Sequence, residues 1–539
     1  MSGIVSSQNS SYISIVPSTQ TEFKEGSQMI IEVDETLGYI KGRDSYLCFD
    51  VTNTSSDDSR WSFPNGVGAS SLINRLEIYS KSTGQLLETL ENYNQWCGIE
   101  NQYMRDDYNS LQRTEGVGSP SYQWMNESEP NGVDTRNETM LSPAKVENNL
   151  ISPINGDDAT PAYTARRFCI PIKSGVFSHW WDDEKLCPVL NLGGLRMVFT
   201  FGSNEEVCKR LGFFPQESED GEFLPAVQAY PLDSDIFTGI PCNAVDDEED
   251  ALLTKIENIQ GSFANVSNCG LAVGNKIVIS KVDGADKQFK TITGISYSND
   301  TVGQVIINLD SGLTAEANPY IRVDTDNARP SYLVQNVELR VLQMIVPKDG
   351  MDKLAKPMKY EFTSYDQFHH TIPSTILRDQ IPITSVASKA KAVFTHFVNS
   401  NTELEQSNKS YYSGMGPSEL QLNSIQLFVN NKLYPLQAIN PQATNDKALM
   451  LNELVKAFRA INKQPLNLGT NEYGGLNDYS NTFLYARELA RGMFVYNLQN
   501  AEPEVRLGFS GIRENCRTNT YVFSKKIVDI TPKGLMVML

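Results

Sequence analysis

Apolar and polar residues alternate with a period of two along many short segments of this chain, and Gly, Asn, Asp and Pro separate the segments. This period is that of a β-strand with one buried and one wet face, whereas a helix repeats every ~3.6 residues. In LRMVFTF, Leu195, Met197, Phe199 and Phe201 fall on one face. Helical patterns are scarce, so we predict an all-β chain built from β-sandwiches.

One short unit occurs in both halves of the chain. In LINRLEIY (72–79) and QLNSIQLF (421–428), Leu76 and Ile78 align with Ile425 and Leu427, and a shift of one residue would reverse the two faces. A turn and a helix-like stretch follow each copy, the first including Leu86, Leu90, Tyr93 and Cys97. The second is predicted to begin at a cap of Asn445 or Asp446, with an apolar stripe of Leu451, Leu454, Val455, Phe458 and Ile461.

Further strand candidates divide the chain into two domains. A single core rarely exceeds ~300 residues, so a chain of 539 residues is expected to have at least two cores. The segment 346–357, which contains Pro and Gly, is the natural hinge, and we predict domains at 1–347 and 348–539. The candidate strands are 28–34, 45–53, 166–173, 195–201 and 332–346 in the first half, and 359–368, 391–398, 504–510, 520–530 and 534–539 in the second.

Two excursions interrupt the first domain. Residues 106–165 are polar and rich in Gly, Pro, Asn and Ser, and a loop of that length is either functional or disordered. Residues 203–330 contain predicted strands at 276–282, 288–297 and 302–309, so they are expected to form a small inserted β-domain. The acidic run from Asp246 to Asp250 within it is interpreted as a solvated linker.

Charge and composition limit the partners and the compartment. The net charge is −19, which disfavours nucleic acid as a general partner. No apolar stretch approaches the ~20 residues of a membrane-spanning helix, and the N-terminus lacks the pattern of a secretion signal, so synthesis inside the cell is expected. The cysteines show no C-x-x-C pairs and are interpreted as buried free thiols: Cys48, Cys97, Cys169, Cys187, Cys208, Cys242, Cys269 and Cys516.

The sequence has no recognisable catalytic, cofactor-binding or metal-binding motif. Phosphate loops, dinucleotide fingerprints and nucleophile turns are missing, so no residue is assigned to a catalytic, cofactor or metal site and no cofactor is expected. DTDNA (324–328) lacks the Gly and Glu of a calcium loop. Trp180 and Trp181 could stack on sugars or bases, or could anchor a loop or a subunit contact. The histidines are His179, His369, His370 and His396, and the adjacent pair should face opposite ways on a strand.

Several longer segments carry a family resemblance. The first is RRFCIPIKSGVFSHWWDDEKLCPVLNLGGLRMVFTF (166–201), in which an Ile-Pro-Ile strand end, a Gly-Val-Phe segment and a Pro-Val-Leu return precede an amphipathic strand. The others are QLFVNNKLYPLQAINP, LNELVKAF, FLYARELARGMF and the C-terminal segment from Ser510. Together they resemble double jelly-roll major capsid proteins, most closely those of virophages and polinton-like viruses in the lineage related to adenovirus hexon.

The resemblance implies two tandem eight-stranded jelly rolls, with the inserted β-domain in a loop of the first. It implies a homotrimer that forms a pseudo-hexagonal capsomer and tiles an icosahedral shell without catalysis. Partners would be other copies, neighbouring capsomers, and penton and minor capsid proteins, with no specific nucleic acid. The excursions would form towers, the N-terminal arm would order only on neighbours, and the protein would reside in the virion. The alternatives are a carbohydrate-binding or carbohydrate-active β-sandwich protein and, less well supported, a vertex or fibre protein.

Overall fold

The structure is a computed structural model of the 539-residue chain. The residues that it describes are 10–54, 61–64, 67–104, 150–151, 166–210, 240–241, 243–245, 253–257, 276–280, 288–297, 305–313, 320–323, 331–344, 358–385, 387–399, 417, 420–465, 483–490, 496–499, 501–511, 515–531 and 534–538.

The described residues form β-strands almost throughout, with few helices. The strands before residue 345 are β1 (Ser10–Ile15), β2 (Glu22–Phe23), β3 (Gln28–Val33), β4 (Tyr39–Ile40), β5 (Tyr46–Asn53), β6 (Trp61–Ser62), β7 (Ile73–Ser80), β8 (Leu86–Leu90), β9 (Leu150–Ile151), β10 (Arg166–Pro171), β11 (Leu195–Phe201), β12 (Lys209–Arg210), β13 (Ile240–Pro241), β14 (Asn243–Val245), β15 (Leu253–Glu257), β16 (Lys276–Ser280), β17 (Gln288–Tyr297), β18 (Val305–Leu313), β19 (Tyr320–Val323) and β20 (Tyr332–Met344).

The later strands are β21 (Met358–Ile372), β22 (Arg378–Pro382), β23 (Ala390–Asn399), β24 (Leu422–Val429), β25 (Lys432–Ile439), β26 (Leu484–Glu488), β27 (Glu504–Phe509), β28 (Cys516–Thr531) and β29 (Gly534–Met538). The helices are α1 (Tyr93–Met104), α2 (Gly175–Ser178), α3 (Asn204–Val207) and α4 (Thr444–Ala460), with 3-10 turns at Glu35–Leu37, Gly42–Asp44 and Gly68–Leu72.

Both halves have the same strand order. The main sheets of the first half run β1-β20-β5-β10 and β3-β11-β7-β8, and those of the second run β21-β28-β23-β26 and β22-β27-β24-β25. The eight main strands of the first half are, in chain order, β1, β3, β5, β7, β8, β10, β11 and β20, and those of the second half are β21 to β28. When each set is lettered B to I in this order, both halves have a B-I-D-G sheet and a C-H-E-F sheet. The pairings are antiparallel, as in a jelly roll. The chain is a double jelly roll.

Short additional strands extend these sheets. β2 and β4 pair with β20, and β29 pairs with β28. The two sheets of the first roll enclose its core, where Phe23 of β2 stacks on Phe201 of β11 with ring centroids 5.4 Å apart. The predicted domain boundary at 347/348 falls between β20 and β21, outside the described residues, and stays a prediction.

The repeated unit of the sequence occupies equivalent places in the two rolls. β7 and β24 are the E strands, and Leu76, Ile78, Ile425 and Leu427 are all buried, as predicted. The helices α1 and α4 each follow the F strand. Two details of the predicted helices were wrong. Leu86 to Leu90 form strand β8 and not the start of a helix, and α4 begins after Ala443, which makes no side-chain cap. The Asp446 carboxylate instead accepts the backbone N–H of Asn440, 2.8 Å away.

The two excursions meet at their bases. β6, β9 and β12 form a three-stranded sheet in the order β12-β6-β9. β9 lies near the end of the first excursion and β12 near the start of the second, and both pair with β6. Beyond it, β13 to β19 form a seven-stranded sheet inserted between the H and I strands of the first roll. The remainder of both excursions, including Asp246 to Asp250, lies outside the described residues.

Two further observations concern the N-terminal arm and the length of the helices. From Ser10 onward the N-terminal arm is strand B of the first roll, paired with β20, and is therefore not free as expected. None of the helices in the described residues is long and apolar enough to cross a membrane.

Candidate functional site at the seam between the two rolls

Three pieces of the first roll lie against one sheet of the second. They are the edge strand β8, helix α1, and the segment 174–183 that contains α2. They contact the B-I-D-G sheet of the second roll at β21, β23 and β28, on the face opposite its own core. We call this contact the seam. Tyr521, Val522 and Phe523 are all buried in consecutive positions, because this sheet is covered on both faces.

The centre of the seam is an aromatic cluster around Trp96 of α1. The Trp96 ring lies 4.7 Å from the ring of Phe523 and 5.2 Å from that of Phe394, between ring centroids. Tilted and edge-to-face rings at such distances attract each other beyond the effect of buried area. The other members are Tyr365, Tyr521 and Trp181.

A buried carboxylate collects three indole groups next to this cluster. Glu100, one helical turn after Trp96, accepts the Nε1–H of Trp96 at 3.0 Å, of Trp180 at 2.5 Å and of Trp181 at 3.2 Å. Lys463, in the second roll, lies 3.4 Å from the same carboxylate. Burial alone would raise the pKa of Glu100, but the charges of Lys173 and Lys463 and the indole bonds lower it to about 2. The group is therefore ionised and fully paired.

A second carboxylate connects the two rolls directly. Asp182 accepts the Thr363 backbone N–H at 2.5 Å and the Thr363 hydroxyl at 2.6 Å, and Lys391 Nζ lies 3.2 Å away. Burial acts to raise the pKa of Asp182. The nearby His179 ring, the Lys391 charge and the two Thr363 bonds outweigh it, so the pKa lies well below its ordinary value.

The edge strand β8 supplies the third carboxylate. Glu88 accepts the Ser174 hydroxyl and the backbone N–H groups of Gly175 and Val176, at 2.5, 2.9 and 3.2 Å. It thereby holds the first turn of α2 against β21. A Cβ atom at position 175 would overlap the Thr363 carbonyl oxygen, so only glycine permits this approach. The Gly-Val-Phe segment of the sequence is thus a seam element.

The predicted tryptophans anchor this loop and do not form an open platform. Trp181 is 0% exposed, and both indole N–H groups are used by Glu100. Lys463 Nζ lies over the Trp180 ring, 4.2 Å from its centroid. A sugar or base could not stack on Trp181 without opening the seam, and Lys463 already lies over the ring of the partly buried Trp180, so the structure supports the loop-anchor interpretation of this pair.

The histidines are dispersed. His179 is buried in the seam, with Nδ1 3.8 Å from Asp182. His369 is exposed, whereas its neighbour His370 contacts Asp379 at 3.0 Å, so the two face apart as predicted. His396 is buried, and burial lowers its pKa to about 4. No three His, Cys, Asp or Glu side chains come together as metal ligands within the described part of the chain, and 324–328 lie outside it.

Sequence reasoning missed Trp96, Glu100 and Asp182. One signal was available: Trp96 and Glu100 are four residues apart, so they share one face of the helix that follows β8. The unbroken apolar run at 521–523 also indicated a sheet buried on both faces. Neither signal names the partner across the seam, because the contacts of Trp96 with Phe394 and Phe523 join different halves of the chain.

Comparison with known proteins finds similarity to viral major capsid proteins among solved structures. No family model and no curated protein sequence matches the chain. The Vp54 protein of the virus PBCV-1, fitted into a reconstruction of the virophage Sputnik, has a TM-score of 0.48 and 11% identity, over 98% of this chain and 97% of that one. The Faustovirus major capsid protein has a TM-score of 0.48 and 8% identity, over 97% of this chain and 90% of that one. The mavirus major capsid protein has a TM-score of 0.42 and 10% identity, over 99% of this chain and 91% of that one.

These comparisons agree with the resemblance predicted from the sequence. At such identities a likeness concerns the fold alone. The fold itself is established by the repeated B-I-D-G and C-H-E-F strand order of this chain.

Proposed function

We propose that this chain is a major capsid protein that assembles, without catalysis, as homotrimeric pseudo-hexagonal capsomers of an icosahedral virus shell. The observation that carries the proposal is the seam. It joins two different surfaces: the F-strand side of one roll, formed by β8 and α1, and the B-I-D-G face of the other, formed by β21, β23 and β28. Because both rolls have the same strand order, each owns both surfaces, and a single chain uses only one of each.

The unused F-strand side belongs to the second roll. It consists of β25, which corresponds to β8, and the N-terminal part of α4, which corresponds to α1. The C-terminal part of α4 packs in the seam, where the Phe458 ring lies 5.4 Å from that of Tyr103 and 4.9 Å from that of Phe394, between ring centroids. Leu436 on β25 is 85% exposed and Leu449 on α4 is 54% exposed. A subunit contact at this surface would cover these large apolar side chains.

The unused B-I-D-G face belongs to the first roll. Its B strand is β1, where Tyr12 is 54% exposed, and Val16 directly after it is 67% exposed. The central strand β20 alternates between buried and open positions, unlike β28, and places Glu338 and Arg340 on the open face. A contact made here would be more polar than the seam, which is usual where subunits fold separately and then associate.

Head-to-tail contacts of this kind generate closed rings when the rotation closes. With two rolls per chain, three chains give a ring of six similar sandwiches, which is the shape that packs hexagonally. Such a ring also covers the strand edge of β1, which would otherwise invite aggregation. The solved structures named above are major capsid proteins, and the seam gives an independent reason for the same role.

Further parts of the proposal concern location and partners. The excursions 106–165 and 203–330 would stand as towers on the first roll, because the sheet of β6, β9 and β12 gathers their bases at one place. Neighbouring capsomers, penton proteins and minor capsid proteins are the proposed partners. The protein would be made in the host cytoplasm and reside in the virion.

The test is the mass of the purified protein in solution, measured by size-exclusion chromatography with light scattering. We expect a trimer of about 180 kDa, three times the chain mass of 60.1 kDa. Leu436→Asp and Leu449→Asp should each convert it to a folded monomer, because a charge would be buried at the contact.

Leu377→Asp is the matched control for Leu449→Asp, since both leucines are 54% exposed. Leu377 lies next to β22, which is at the opposite edge of its sheet from β25. The control variant should remain trimeric. A monomeric wild-type protein at micromolar concentration, or trimers that tolerate both aspartates, would contradict the proposal.

A further inference from the structure

Two thiols face each other across neighbouring strands of the first roll. Cys48 of β5 and Cys169 of β10 are directly opposite in the antiparallel register, and their Sγ atoms are 2.8 Å apart. Both are free thiols. The next pair along, Phe49 and Phe168, points into the core, so the cysteines lie on the outer face of the sheet.

The backbone already has the spacing that a disulfide requires. Residues directly opposite in an antiparallel pair have Cα atoms about 4.5–5.5 Å apart. Disulfides span Cα distances of about 4.4–6.8 Å. We propose that Cys48 and Cys169 are a site of reversible oxidation, at which a small-molecule disulfide such as oxidised glutathione converts the two thiols into an intramolecular disulfide.

The environments of the two sulfurs set the order of events. Cys169 is half-buried, whereas Cys48 is only 3% exposed. Burial and the neighbouring thiol raise the pKa of Cys48 to about 12, which makes it a poor first nucleophile. Cys169 therefore reacts first, and Cys48 acts as the resolving thiol because it is already in contact.

The exchange is balanced without any further reagent. The Cys169 sulfur attacks the small disulfide, its S–S bond breaks, and one small thiol leaves with the proton of Cys169. The Cys48 sulfur then attacks the Cys169 sulfur, the mixed S–S bond breaks, and the second small thiol leaves with the proton of Cys48. Two protein thiols are oxidised, and one small disulfide is reduced to two thiols.

The bond would fasten the outermost strand of the B-I-D-G sheet. β10 ends the main path of that sheet, and the cross-link would join residues 121 positions apart. A cross-link over so long a loop restricts the unfolded chain strongly. The face that carries both thiols is the one proposed above as a subunit contact, so the bond forms on the free chain and assembly would then cover it. Only this covering depends on the proposed function, since the chemistry concerns the single chain.

The test is peptide mapping of the reduced full-length protein, as wild type and as the Leu436→Asp variant expected to be monomeric with this face open, after exposure to oxidised glutathione at about pH 8. Free thiols are blocked, the protein is digested without reductant, and peptides are identified by mass spectrometry. We expect a cross-linked peptide pair containing Cys48 and Cys169, two hydrogens lighter than the separate peptides. The oxidised protein should melt up to roughly 4 °C higher, and dithiothreitol should reverse the change. Complete blocking of both thiols in both proteins after oxidation would overturn the proposal.

Three variants sharpen the result. Cys48→Ser should accumulate a glutathione adduct on Cys169, because the resolving thiol is gone. Cys169→Ser should yield neither product. Cys187→Ser, which removes a thiol buried elsewhere in the core, should still give the cross-link. A cross-link in either the wild type or the monomeric Leu436→Asp protein supports the proposal, and its absence from both overturns it, even if a cysteine variant fails to fold.

Discussion

Single residues decide the stability of the seam because it buries ionised groups. Glu100 and Asp182 are removed from water, yet each has hydrogen-bond donors and a lysine within reach. A buried pair of this kind adds little compared with apolar residues of the same volume, but removing one partner leaves an uncompensated charge. The carboxylates are therefore expected to be sensitive to substitution and to pH.

Replacement of Glu100 by glutamine tests the first expectation. Glu100→Gln retains an acceptor for the indoles but leaves Lys173 and Lys463 without their counter-charge, so the free energy of unfolding should fall by about 3 kcal/mol. Urea denaturation followed by tryptophan fluorescence measures the change. The control Glu35→Gln alters an exposed carboxylate in a surface turn and should shift stability by less than ~0.5 kcal/mol. Equal effects of the two substitutions would count against the role of Glu100.

Acid should remove the contribution of Glu100 in a defined range. Its pKa is about 2 in the folded protein against an ordinary 4.5, so its stabilisation is complete above pH 4.5 and is lost as pH falls towards 2. The wild type should therefore lose up to about 3 kcal/mol more than Glu100→Gln across this range. Unfolding curves of both proteins between pH 6 and 2 give the comparison. Parallel curves would show that the carboxylate does not titrate as described.

His396 should produce a second loss of stability at milder acidity. Its pKa is about 4 in the folded protein against 6.5, so the unfolded chain takes up a proton first as pH falls from 6.5 to 4. The wild type should lose up to about 3 kcal/mol in this window. His396→Gln should flatten the pH profile of unfolding there, whereas His369→Gln, at an exposed position, should leave it unchanged. A steep profile in His396→Gln would assign the loss to another group.

Whole elements show which parts of the fold a sequence can predict. Most of the predicted strands end within two residues of the observed ends, but β18, β21 and β28 differ by three or four residues at one end or both. The two E strands were matched by pattern alone, because the period of two is set by the buried face. β8 was mistaken for a helix, since the apolar residues Leu86, Leu87 and Leu90 fit helical spacing equally well. The short polar strand β22 gave no signal. The seam stayed hidden because its contacts join distant parts of the chain.

The equivalence of the E strands can be tested in pairs. Ile78→Ala in β7 and Leu427→Ala in β24 remove buried side chains at matching positions, so each should lower the free energy of unfolding by about 2–4 kcal/mol. Arg75→Ala and Ser424→Ala, on the opposite faces of the same strands, should each cost less than ~1 kcal/mol. Urea denaturation of the four variants measures the contrast. A large cost on the polar faces would mean that the register is misassigned.

At the scale of the whole molecule, the seam makes two similar sandwiches unfold together. Each roll has its own core, so each could unfold separately if the contact between them were weak. The buried cluster around Trp96 and the Asp182–Thr363 bonds make exposure of the seam costly, and unfolding of one roll would expose it. A single calorimetric transition is therefore expected for the wild type, even though the chain contains two domains.

Trp96→Ala should uncouple the two rolls. It removes the ring at the centre of the seam but touches neither sandwich core, so the heat-capacity trace should split into two transitions. Phe23→Ala removes a buried ring inside the first roll, at a comparable cost of about 3–5 kcal/mol, and should lower the temperature of a transition that stays single. Differential scanning calorimetry separates the two outcomes. If both variants gave one shifted peak, cohesion between the rolls would have to come from outside the aromatic cluster, and the Asp182–Thr363 pair would be the next contact to remove.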